Sequence, residues 1–379
     1  MTISGENKKI GLLGGGQLGR MLLQAAIDLD IYLKVLDPDP NAPCALLAPE
    51  FVMGSFQDFE TVYNFGQDCA IITIEIENVN LDALEKLEAE GKKVFPQPKV
   101  LRIIKDKRIQ KQFFVDHGIP TSPFILTENK AEIEKNISFF PAFNKLGIGG
   151  YDGHGVQKLN SKDDIDLAFD EPSLLEKAID FEKEIAVIVS RNEAGEIKTF
   201  PTVEMAFHPT QNLVEYLFAP ANIVEKIDSE ANKIAISVAE KLGIVGLLAV
   251  EMFVTKSGQI LVNEVAPRTH NSGHHTIRAN FTSQFEQQLR AILNLPLGDT
   301  TSFMPAAMLN LLGENAYEGN AIYVGLDKIL AIKGVFPFLY GKKITKPFRK
   351  MGHVTLLAEN FDELNEKVNF VKENLKVIA

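Results

Sequence analysis

Short apolar runs alternate with segments of helical apolar spacing over residues 1–100 of the chain. In the helical segments, apolar residues recur every three or four positions, as on one face of an amphipathic helix. Alternation of strand and helix favours a parallel sheet covered by helices. The predicted strands are Ile10–Leu13, Ile31–Leu36, Phe51–Met53, Ala70–Ile76 and Lys93–Phe95, and the predicted helices are Arg20–Leu29, Asp58–Phe65 and Leu81–Glu90.

The pattern changes after a helix that is predicted over Asp106–His117 and ended by Gly118. Turn residues then separate many of the apolar runs, which is typical of antiparallel strands. A further helix is predicted over Ser229–Leu242, with Asp228 or Ser229 as its N-cap. The predicted strands are Ala142–Lys145, Glu184–Ser190, Ile197–Phe200, Leu213–Ala219, Leu247–Val254 and Gln259–Val265, and a helix follows over Ser283–Leu293.

Two proline-containing segments divide the chain into three predicted units. Pro96-Gln97-Pro98 follows the first unit, and Pro296-Leu297-Gly298 follows the second. The last unit mixes short strands with one helix over Phe361–Asn374. We therefore expect an α/β unit over residues 1–100 and α+β units over residues 101–297 and 298–379.

The composition is that of a globular protein, with 45% hydrophobic and 23% charged residues. The 39 Lys and Arg against 50 Asp and Glu give a net charge of −11, which disfavours a nucleic-acid partner. No apolar run reaches the ~18 residues that a membrane helix needs, and residues 1–9 contain no signal-peptide core. Cys44 and Cys69 are too few for a disulfide framework. These features predict a cytoplasmic protein without a membrane or nucleic-acid partner.

The first chemical candidate is the glycine-rich turn Gly14-x-Gly16-x-x-Gly19, which separates the first predicted strand from the first helix. In dinucleotide-binding folds, such a turn lets backbone amides approach a phosphate at a helix N-terminus. Asp37, at the end of the second strand, stands where an NAD enzyme has its ribose-binding acid. Taken alone, the turn suggests an NAD-dependent dehydrogenase. Because the rest of the chain carries a different nucleotide site, another phosphate ligand is the favoured interpretation, and nicotinamide binding and a purely structural turn are the alternatives.

A second glycine-rich segment follows the strand that ends in Lys145, with glycines at positions 147, 149, 150, 153 and 155. A long loop of this kind usually has a functional reason. Its amides and the Lys145 ammonium can close over phosphates. We predict a nucleotide-covering lid over residues 147–155, with a flexible surface loop as the alternative.

Two acidic residues face each other on the predicted hairpin near the end of the second unit. Glu251 lies on one strand and Asn263-Glu264 on the next, and both carboxylates are flanked by apolar runs. Paired carboxylates and an amide oxygen suit Mg²⁺, which is held by carboxylates together with substrate phosphates. Two solvated glutamates are the alternative.

The segment Arg268–His275 follows this hairpin directly and contains three of the seven histidines. Zinc binding through His270 and His274 lacks a third soft ligand nearby. The Arg, Asn and Ser donors favour an anion- and substrate-binding loop, with a structural loop as the alternative.

With these motifs in this order, the chain resembles the 5-(carboxyamino)imidazole ribonucleotide synthetase family of ATP-grasp enzymes over essentially its whole length. The segments that carry the resemblance are residues 14–21, 149–153, 263–268 running into 270–274, and 349–353. The resemblance implies a Rossmann-like pre-ATP-grasp domain over 1–100, an ATP-grasp domain over 101–297 and a small C-terminal α+β domain over 298–379. It also implies a homodimer.

The reaction of that family is the ATP-dependent carboxylation of 5-aminoimidazole ribonucleotide by bicarbonate, through carboxyphosphate, in purine biosynthesis. The resemblance implies these three small molecules as ligands and Mg²⁺ as a cofactor, with Mn²⁺ as an alternative. A closing lid fits this chemistry because carboxyphosphate must be shielded from water.

The resemblance also implies which residues bind ATP. Lys107 and Lys145 would contact its phosphates, while Glu251 and Glu264 would hold the metal. The other implied ATP-binding residues are Gly150, Tyr151, Asp152, Gly153, His154, Gly155 and Val156 in the lid, the backbone edge of Glu176, Lys177, Ala178 and Ile179 at the adenine, Glu184 at the ribose, and His208 and Asn263.

For the second substrate, Asp152 is the implied base near the amine, and Arg268 and His270 would hold bicarbonate or carboxyphosphate. Lys342 and Arg349 would bind the phosphate of the ribonucleotide. The remaining implied substrate-binding residues are Gly16, Gln17, Leu18, Glu75, Tyr151, Asn271, Ser272 and Lys350.

Three positions depart from the usual pattern of the family. His154 stands where arginine or lysine is usual, Lys107 where arginine is usual, and Thr269 where proline is usual. A formate-using ATP-grasp ligase, an NAD oxidoreductase and a catalytically silent binding module are the alternatives. The pair Tyr151-Asp152 and residues 349–353 argue against the formate ligase. The acidic hairpin argues against the oxidoreductase, and His154 is the feature that favours the silent module.

Overall fold

The computed structural model of the protein describes residues 9–150, 155–207 and 214–379. The first unit contains strands β1 (Ile10–Leu13), β2 (Leu33–Asp37), β3 (Glu50–Met53), β4 (Ile71–Ile74) and β5 (Lys93–Val94), and helices α1 (Gln17–Asp28), α2 (Phe59–Gly66) and α3 (Leu81–Ala89). The strands form a parallel sheet in the order β3-β2-β1-β4-β5. Strands β1, β2 and β4 are buried at every position, as expected for a parallel sheet covered on both faces.

Helices α4 (Pro98–Lys105) and α5 (Lys107–Asp116) lead into a small antiparallel sheet. Its strands are β6 (Phe124–Thr127), β7 (Ala142–Leu146), β8 (Val156–Leu159) and β9 (Ser173–Lys177), in the order β6-β9-β7-β8. Helix α6 (Lys130–Lys135) and two 3-10 helices, Ile137–Phe139 and Lys162–Leu167, connect them. We call this unit the lid sheet, because β7 and β8 flank the glycine-rich segment.

The remaining large strands form one extended sheet. Its first strands are β10 (Phe181–Arg191), β11 (Ile197–Thr199), β12 (Val203–Phe207), β13 (Val214–Ala219), β14 (Gly246–Thr255) and β15 (Ile260–Ala266). Helix α7 (Glu225–Leu242) precedes β14, and a 3-10 helix (Asn271–Gly273), α8 (Thr276–Ala279) and α9 (Gln284–Ile292) follow β15.

The C-terminal elements are β16 (Ala306–Leu312), β17 (Gly319–Asn320), β18 (Ile322–Val324), α10 (Leu326–Leu330), β19 (Val335–Leu339), β20 (Ile344–Thr345), β21 (Lys350–Leu357), α11 (Phe361–Asn374) and β22 (Lys376–Ile378). The extended sheet has the order β15-β14-β10-β12-β13-β16-β21-β19, and β11 pairs with β10. It therefore runs through the predicted boundary between residues 297 and 298, because β13 pairs with β16. That boundary stays a prediction.

Helix α7 differs from its predicted extent. It begins at Glu225 rather than Ser229, after an extended Val224, and neither proposed residue is the N-cap. The Asp228 side chain instead accepts a hydrogen bond from the Thr202 hydroxyl. Acidic Glu225 and Asp228 in the first turn suit the positive end of the helix dipole, which explains why the helix extends through them. The predicted end is confirmed, because Gly243 follows with a left-handed φ of 63°.

Helix α9 joins the first unit to the extended sheet. Phe285 and Leu289 belong to the same buried cluster as Met21 and Leu22 of α1. Its Gln288 side chain donates to Thr73 Oγ1 on β4 at 3.2 Å and accepts from the Leu247 N–H on β14 at 2.8 Å. The parallel sheet is thus fixed against the strands that carry the acidic hairpin. Among the helices that the structure describes, none is long and apolar enough to cross a membrane.

Candidate active site

The acidic hairpin lies at one edge of the extended sheet. Glu251 on β14 and Glu264 on β15 are directly paired across the two antiparallel strands. The register shifts just after Glu251, because Met252 pairs with Val262, so that Asn263 is the extra residue of a β-bulge. The bulge explains how two consecutive residues, Asn263 and Glu264, both contact lysines in the same cleft.

The surroundings shift the pKa values of the two carboxylates in opposite directions. Burial and the neighbouring Glu264 raise the pKa of Glu251 to about 8. Lys107 together with Lys145 lowers the pKa of Glu264 to about 2, although burial acts in the opposite direction. Burial also raises the pKa of Glu184, on the adjacent strand β10, to about 7. A second negative charge on Glu251 is unfavourable beside Glu264, and a divalent cation bound by both carboxylates would stabilise it.

Lysines from α5 and the lid sheet complete the cleft. Lys107, at the start of α5, forms an ion pair with Glu264. Lys145 on β7 lies 2.7 Å from Glu176 Oε2 on β9 and donates to Asn263 Oδ1 on β15 at 3.1 Å. Since β7 and β15 belong to different sheets, these contacts place the lid sheet directly over the acidic hairpin.

The two ends of the glycine-rich segment lie side by side at this cleft. Lys145 pairs with Val156 between β7 and β8, and the Leu146 N–H donates to the Gly155 carbonyl at 2.9 Å. Gly155 has a φ of 76°, a conformation that glycine adopts without steric cost. Gly150 is also in the described part, whereas Tyr151, Asp152, Gly153, His154 and, elsewhere, His208 lie outside the described residues.

In the segment expected at the adenine, residues 176–179, some polar groups already bond to other parts of the protein. The buried Glu176 side chain points to lysines, as described above. The Lys177 N–H donates to the Pro123 carbonyl at 2.9 Å, and the Ala178 N–H donates to the Pro141 carbonyl at 3.1 Å. Of this segment, Ile179 is the residue whose amide has no hydrogen bond within residues 9–150, 155–207 and 214–379.

The loop after β15 reaches the acidic hairpin through His270. Its Nε2 lies 3.5 Å from Glu251 Oε1, and its Nδ1 lies 2.9 Å from the Ser272 hydroxyl. Arg268 is held by Glu77, with 2.8 Å between its Nε and the carboxylate. Within the described residues, the buried Oδ1 of Asn271 has no hydrogen-bond partner.

The glycine-rich turn of the first unit is occupied by a side chain of the protein itself. The Gly16 N–H donates to Glu75 Oε1 at 2.6 Å, and the Gly19 N–H donates to the other carboxylate oxygen. The Asp37 carboxylate accepts from the Gly15 N–H at 2.7 Å. Burial raises the pKa of Glu75 to about 7. The amides and the acid that a dinucleotide would use are therefore engaged, and Gln17 and Leu18 are the first residues of α1.

The C-terminal cations gather where the last unit meets the first. Lys342 Nζ donates to the Lys350 carbonyl at 2.8 Å, and Arg349 donates to the Ile344 carbonyl at 2.7 Å. Arg20 of α1 donates to the carbonyl of Tyr340, two residues before Lys342, at 3.3 Å. The segment that carries Lys342 therefore lies next to the helix that follows the glycine-rich turn.

Two buried side chains of this region are not among the residues that the motifs indicate. Lys111 lies one turn after Lys107 on α5 and contacts Glu176 at 2.7 Å. Gln284 of α9 accepts from the His270 N–H at 2.9 Å and donates to the His270 carbonyl at 2.8 Å. Lys107 and Lys111 are four residues apart on one helix face, and this spacing could have indicated Lys111 as a second lysine of the site. The cluster of glutamines on α9 could have indicated Gln284.

In the described part of the chain, no three His, Cys, Asp or Glu side chains are grouped as metal ligands. Two carboxylates are nevertheless a sufficient protein contribution for Mg²⁺, which takes its other ligands from water and substrate phosphates. The donor set of Glu251, Glu264 and the Asn263 amide oxygen therefore fits such an ion.

Three family models match the chain in succession. They are the ribonucleotide synthetase preATP-grasp domain over residues 7–105, the ATP-grasp domain over 112–285, and the phosphoribosylaminoimidazole carboxylase C-terminal domain over 306–367. The predicted fold class is thereby confirmed, with a pre-ATP-grasp unit, a central ATP-grasp domain and a C-terminal α+β domain.

Curated relatives match over most of the chain. The N5-carboxyaminoimidazole ribonucleotide synthase of Synechococcus elongatus is 39% identical over 92% of this chain and 89% of its own length. The chloroplastic phosphoribosylaminoimidazole carboxylase of Vigna aconitifolia is 37% identical over 96% of this chain. The match spans 66% of that longer relative.

Solved structures give the same result. The N5-carboxyaminoimidazole ribonucleotide synthetase of Thermotoga maritima is 42% identical and superposes with a TM-score of 0.92, covering 98% of this chain and 99% of that chain. The Aspergillus clavatus N5-carboxyaminoimidazole synthase, solved with ADP and 5-aminoimidazole ribonucleotide, has a TM-score of 0.88 at 32% identity, over 98% and 99% of the two chains. This chain belongs to the N5-carboxyaminoimidazole ribonucleotide synthase family of ATP-grasp ligases.

Proposed function

We propose that this protein carboxylates 5-aminoimidazole ribonucleotide with bicarbonate, at the expense of ATP, giving 5-(carboxyamino)imidazole ribonucleotide, ADP and phosphate in purine biosynthesis. The observation that carries the proposal is the meeting of Glu251 and Glu264 with Lys107 and Lys145 in one cleft of a chain of this family. A cytoplasmic location and a homodimer belong to the same proposal.

In this proposal, ATP lies between the lid sheet and the acidic hairpin. Lys107 and Lys145 bind its phosphates, and Ile179 offers a backbone amide to the adenine. Glu251 and Glu264 hold Mg²⁺, or Mn²⁺, which when bound neutralises charge on the transferring phosphoryl group. The paired ends of the lid at Gly150 and Gly155 support its role in excluding water from carboxyphosphate.

The second half of the site takes bicarbonate and the ribonucleotide. Arg268 and His270 bind bicarbonate or carboxyphosphate, and the distance of 3.5 Å between His270 Nε2 and Glu251 supports placing that anion beside the metal-binding carboxylates. The hydrogen bond between Nδ1 and Ser272 fixes the His270 ring, so that Nε2 faces the cleft. Asp152 is proposed as the base that accepts the proton of the amine.

The ribonucleotide phosphate is assigned to the C-terminal cations. Lys342, Arg349 and Lys350 are concentrated positive charge in a chain whose net charge is −11. Arg349 can bind a phosphate through two parallel N–H groups. The position of Lys342 beside the α1 contact supports a ribonucleotide that lies between the first and last units, near Glu75.

The test is phosphate release measured with each substrate omitted in turn. We expect the full rate only when ATP, bicarbonate, 5-aminoimidazole ribonucleotide and Mg²⁺ are all present. Rapid turnover with formate in place of bicarbonate would instead support the formate-using ligase. Absence of any ATP turnover in the complete mixture would support a silent binding module.

A further inference from the structure

Lys111 is almost completely buried, with 3% of its surface exposed, inside the wall of the proposed ATP site. Its ammonium lies 2.6 Å from Thr121 Oγ1, 2.7 Å from Glu176 Oε1 and 3.4 Å from the Val262 carbonyl. Each of its three N–H groups therefore has an oxygen nearby. Lysine is rarely buried to this extent unless it is paired with an opposite charge.

The three oxygens belong to different parts of the fold. Glu176 is on β9 of the lid sheet, whereas Val262 is on β15, which carries Glu264 two residues later. Lys111 itself is on α5, four residues after Lys107 and on the same helix face. One ammonium thus connects the helix, the lid sheet and the acidic hairpin.

Glu176 is shared between two lysines, one on each carboxylate oxygen. Lys111 contacts Oε1 and Lys145 contacts Oε2, both at 2.7 Å. Two positive charges against one negative charge leave the triad with a net charge of +1. The Lys145 side chain is 13% exposed, against 4% for Lys111 and 3% for Glu176, so Lys145 is the member that reaches the cleft. If Lys111 were neutral, Glu176 would cancel the charge of Lys145.

We propose that Lys111 is a positioning residue for the nucleotide: it neutralises Glu176, so that Lys145 keeps a net positive charge for the phosphates of ATP. This inference rests on the proposed function, which assigns Lys145 to those phosphates. Lys111 does not touch the nucleotide in this arrangement. It acts through Glu176 and through the spacing that it maintains between the lid sheet and the hairpin.

The test is to measure the Kd for MgADP by calorimetry at neutral pH, for the wild type and for variants of the full chain. Lys111→Met is expected to raise the Kd by tenfold or more. Removing both charges, with Lys111→Met and Glu176→Gln together, is expected to restore the Kd to within about threefold of the wild type, since Lys145 is then no longer neutralised. Removing both charges would also relieve a loss of stability caused by an unpaired buried carboxylate, so the urea midpoint of each variant is measured beside its Kd; the proposal requires the Kd of Lys111→Met to rise under conditions in which the variant is fully folded.

Lys34→Met is the matched control. Lys34 is also a buried lysine, with its side chain 8% exposed and ion-paired to Glu50 and Asp68 in the first unit. Its loss should leave the Kd for MgADP unchanged. In the complete reaction, Lys111→Met should raise KM for ATP by tenfold or more and change kcat less than threefold, because the proposed role is in binding.

Three results would overturn the inference. The first is a folded Lys111→Met variant with the wild-type Kd, and the second is a double variant that binds as weakly as the single one. If Lys111→Met alone fails to fold, Glu176→Gln decides: it should bind MgADP at least as tightly as the wild type, and a tenfold loss is the third contrary result. Failure of the wild type itself to bind MgADP would overturn the proposed function together with this inference.

Discussion

The backbone of His270 is held at both of its polar atoms by the buried side chain of Gln284. The amide of Gln284 accepts from the His270 N–H at 2.9 Å and donates to the His270 carbonyl at 2.8 Å. It lies at the start of α9 and is completely buried. We predict that Gln284→Met, which preserves the length of the side chain but not its polar atoms, releases the loop that presents His270 to Glu251.

The magnitude follows from three lost hydrogen bonds, because the Gln284 amide nitrogen also lies 3.2 Å from His274 Nδ1. Each contributes about 0.5–1.5 kcal/mol net, so that the free energy of unfolding should fall by about 1.5–4.5 kcal/mol. The effect on activity comes from misplacement of His270, for which a small displacement costs on the order of tenfold or more. We therefore expect kcat/KM for bicarbonate to fall at least tenfold, while KM for ATP stays within twofold.

Gln287 provides a matched control on the same helix. It is equally buried, and its amide accepts from the Gly298 N–H at 2.8 Å and donates to the Gly298 carbonyl at 3.3 Å, away from the His270 loop. Urea unfolding should show a similar loss of stability for Gln287→Met and Gln284→Met, whereas the bicarbonate kinetics should change only for the latter. Equal kinetic effects in both variants, or none in either, would refute the reasoning.

Glu264→Gln should reduce phosphate release to background at saturating Mg²⁺ while the circular dichroism spectrum is retained; near-normal release would remove Glu264 from the metal site. NAD and NADP should not bind, because Glu75 occupies the amides of the glycine-rich turn, and micromolar binding by calorimetry would contradict this. Arg349→Ala should raise KM for 5-aminoimidazole ribonucleotide by tenfold or more, because one charge-assisted hydrogen bond contributes about 1.5–3 kcal/mol. A rise in KM for ATP instead would mean that the assignment of the two substrates to the two ends of the cleft is wrong. Although burial acts in the opposite direction, Lys34 and Lys9 lower the pKa of Asp68 to about 2. The stabilisation that ionised Asp68 contributes is therefore complete above ~pH 4 and is lost as the pH falls toward 2. The urea midpoints of the wild type and of Asp68→Asn should converge over that range, and a constant difference between them would refute the effect.

Local pattern was sufficient for most of the elements. The runs at Ile10–Leu13 and Leu247–Val254 lie within strands, and the end of α7 at Leu242 was correct because Gly243 takes the left-handed conformation. The start of α7 was predicted four residues too late. Capping preference favoured Asp228 and Ser229, but Asp228 is engaged by Thr202, a contact between segments that are distant in sequence.

Contacts between distant segments also decided most of the candidate site. Glycine spacing located the turn after β1, but only the fold showed that Glu75, from the end of a neighbouring strand, occupies its amides. The acids of the hairpin could be paired from the sequence. The bulge at Asn263, by contrast, depends on the register between β14 and β15, which the apolar pattern leaves open by one residue.

The sequence by itself determined the order of strands and helices, the positions of the glycine-rich segments and the family to which the motifs point. These features depend on residues that are neighbours in the chain, where backbone preference and apolar period act directly. The tertiary structure alone decided which charges meet: Lys111 with Glu176 across 65 residues, and Gln284 with His270 across a loop. The physical reason is that the charge state and orientation of a buried polar group depend on the atoms that surround it in space, and folding brings those atoms from separate segments.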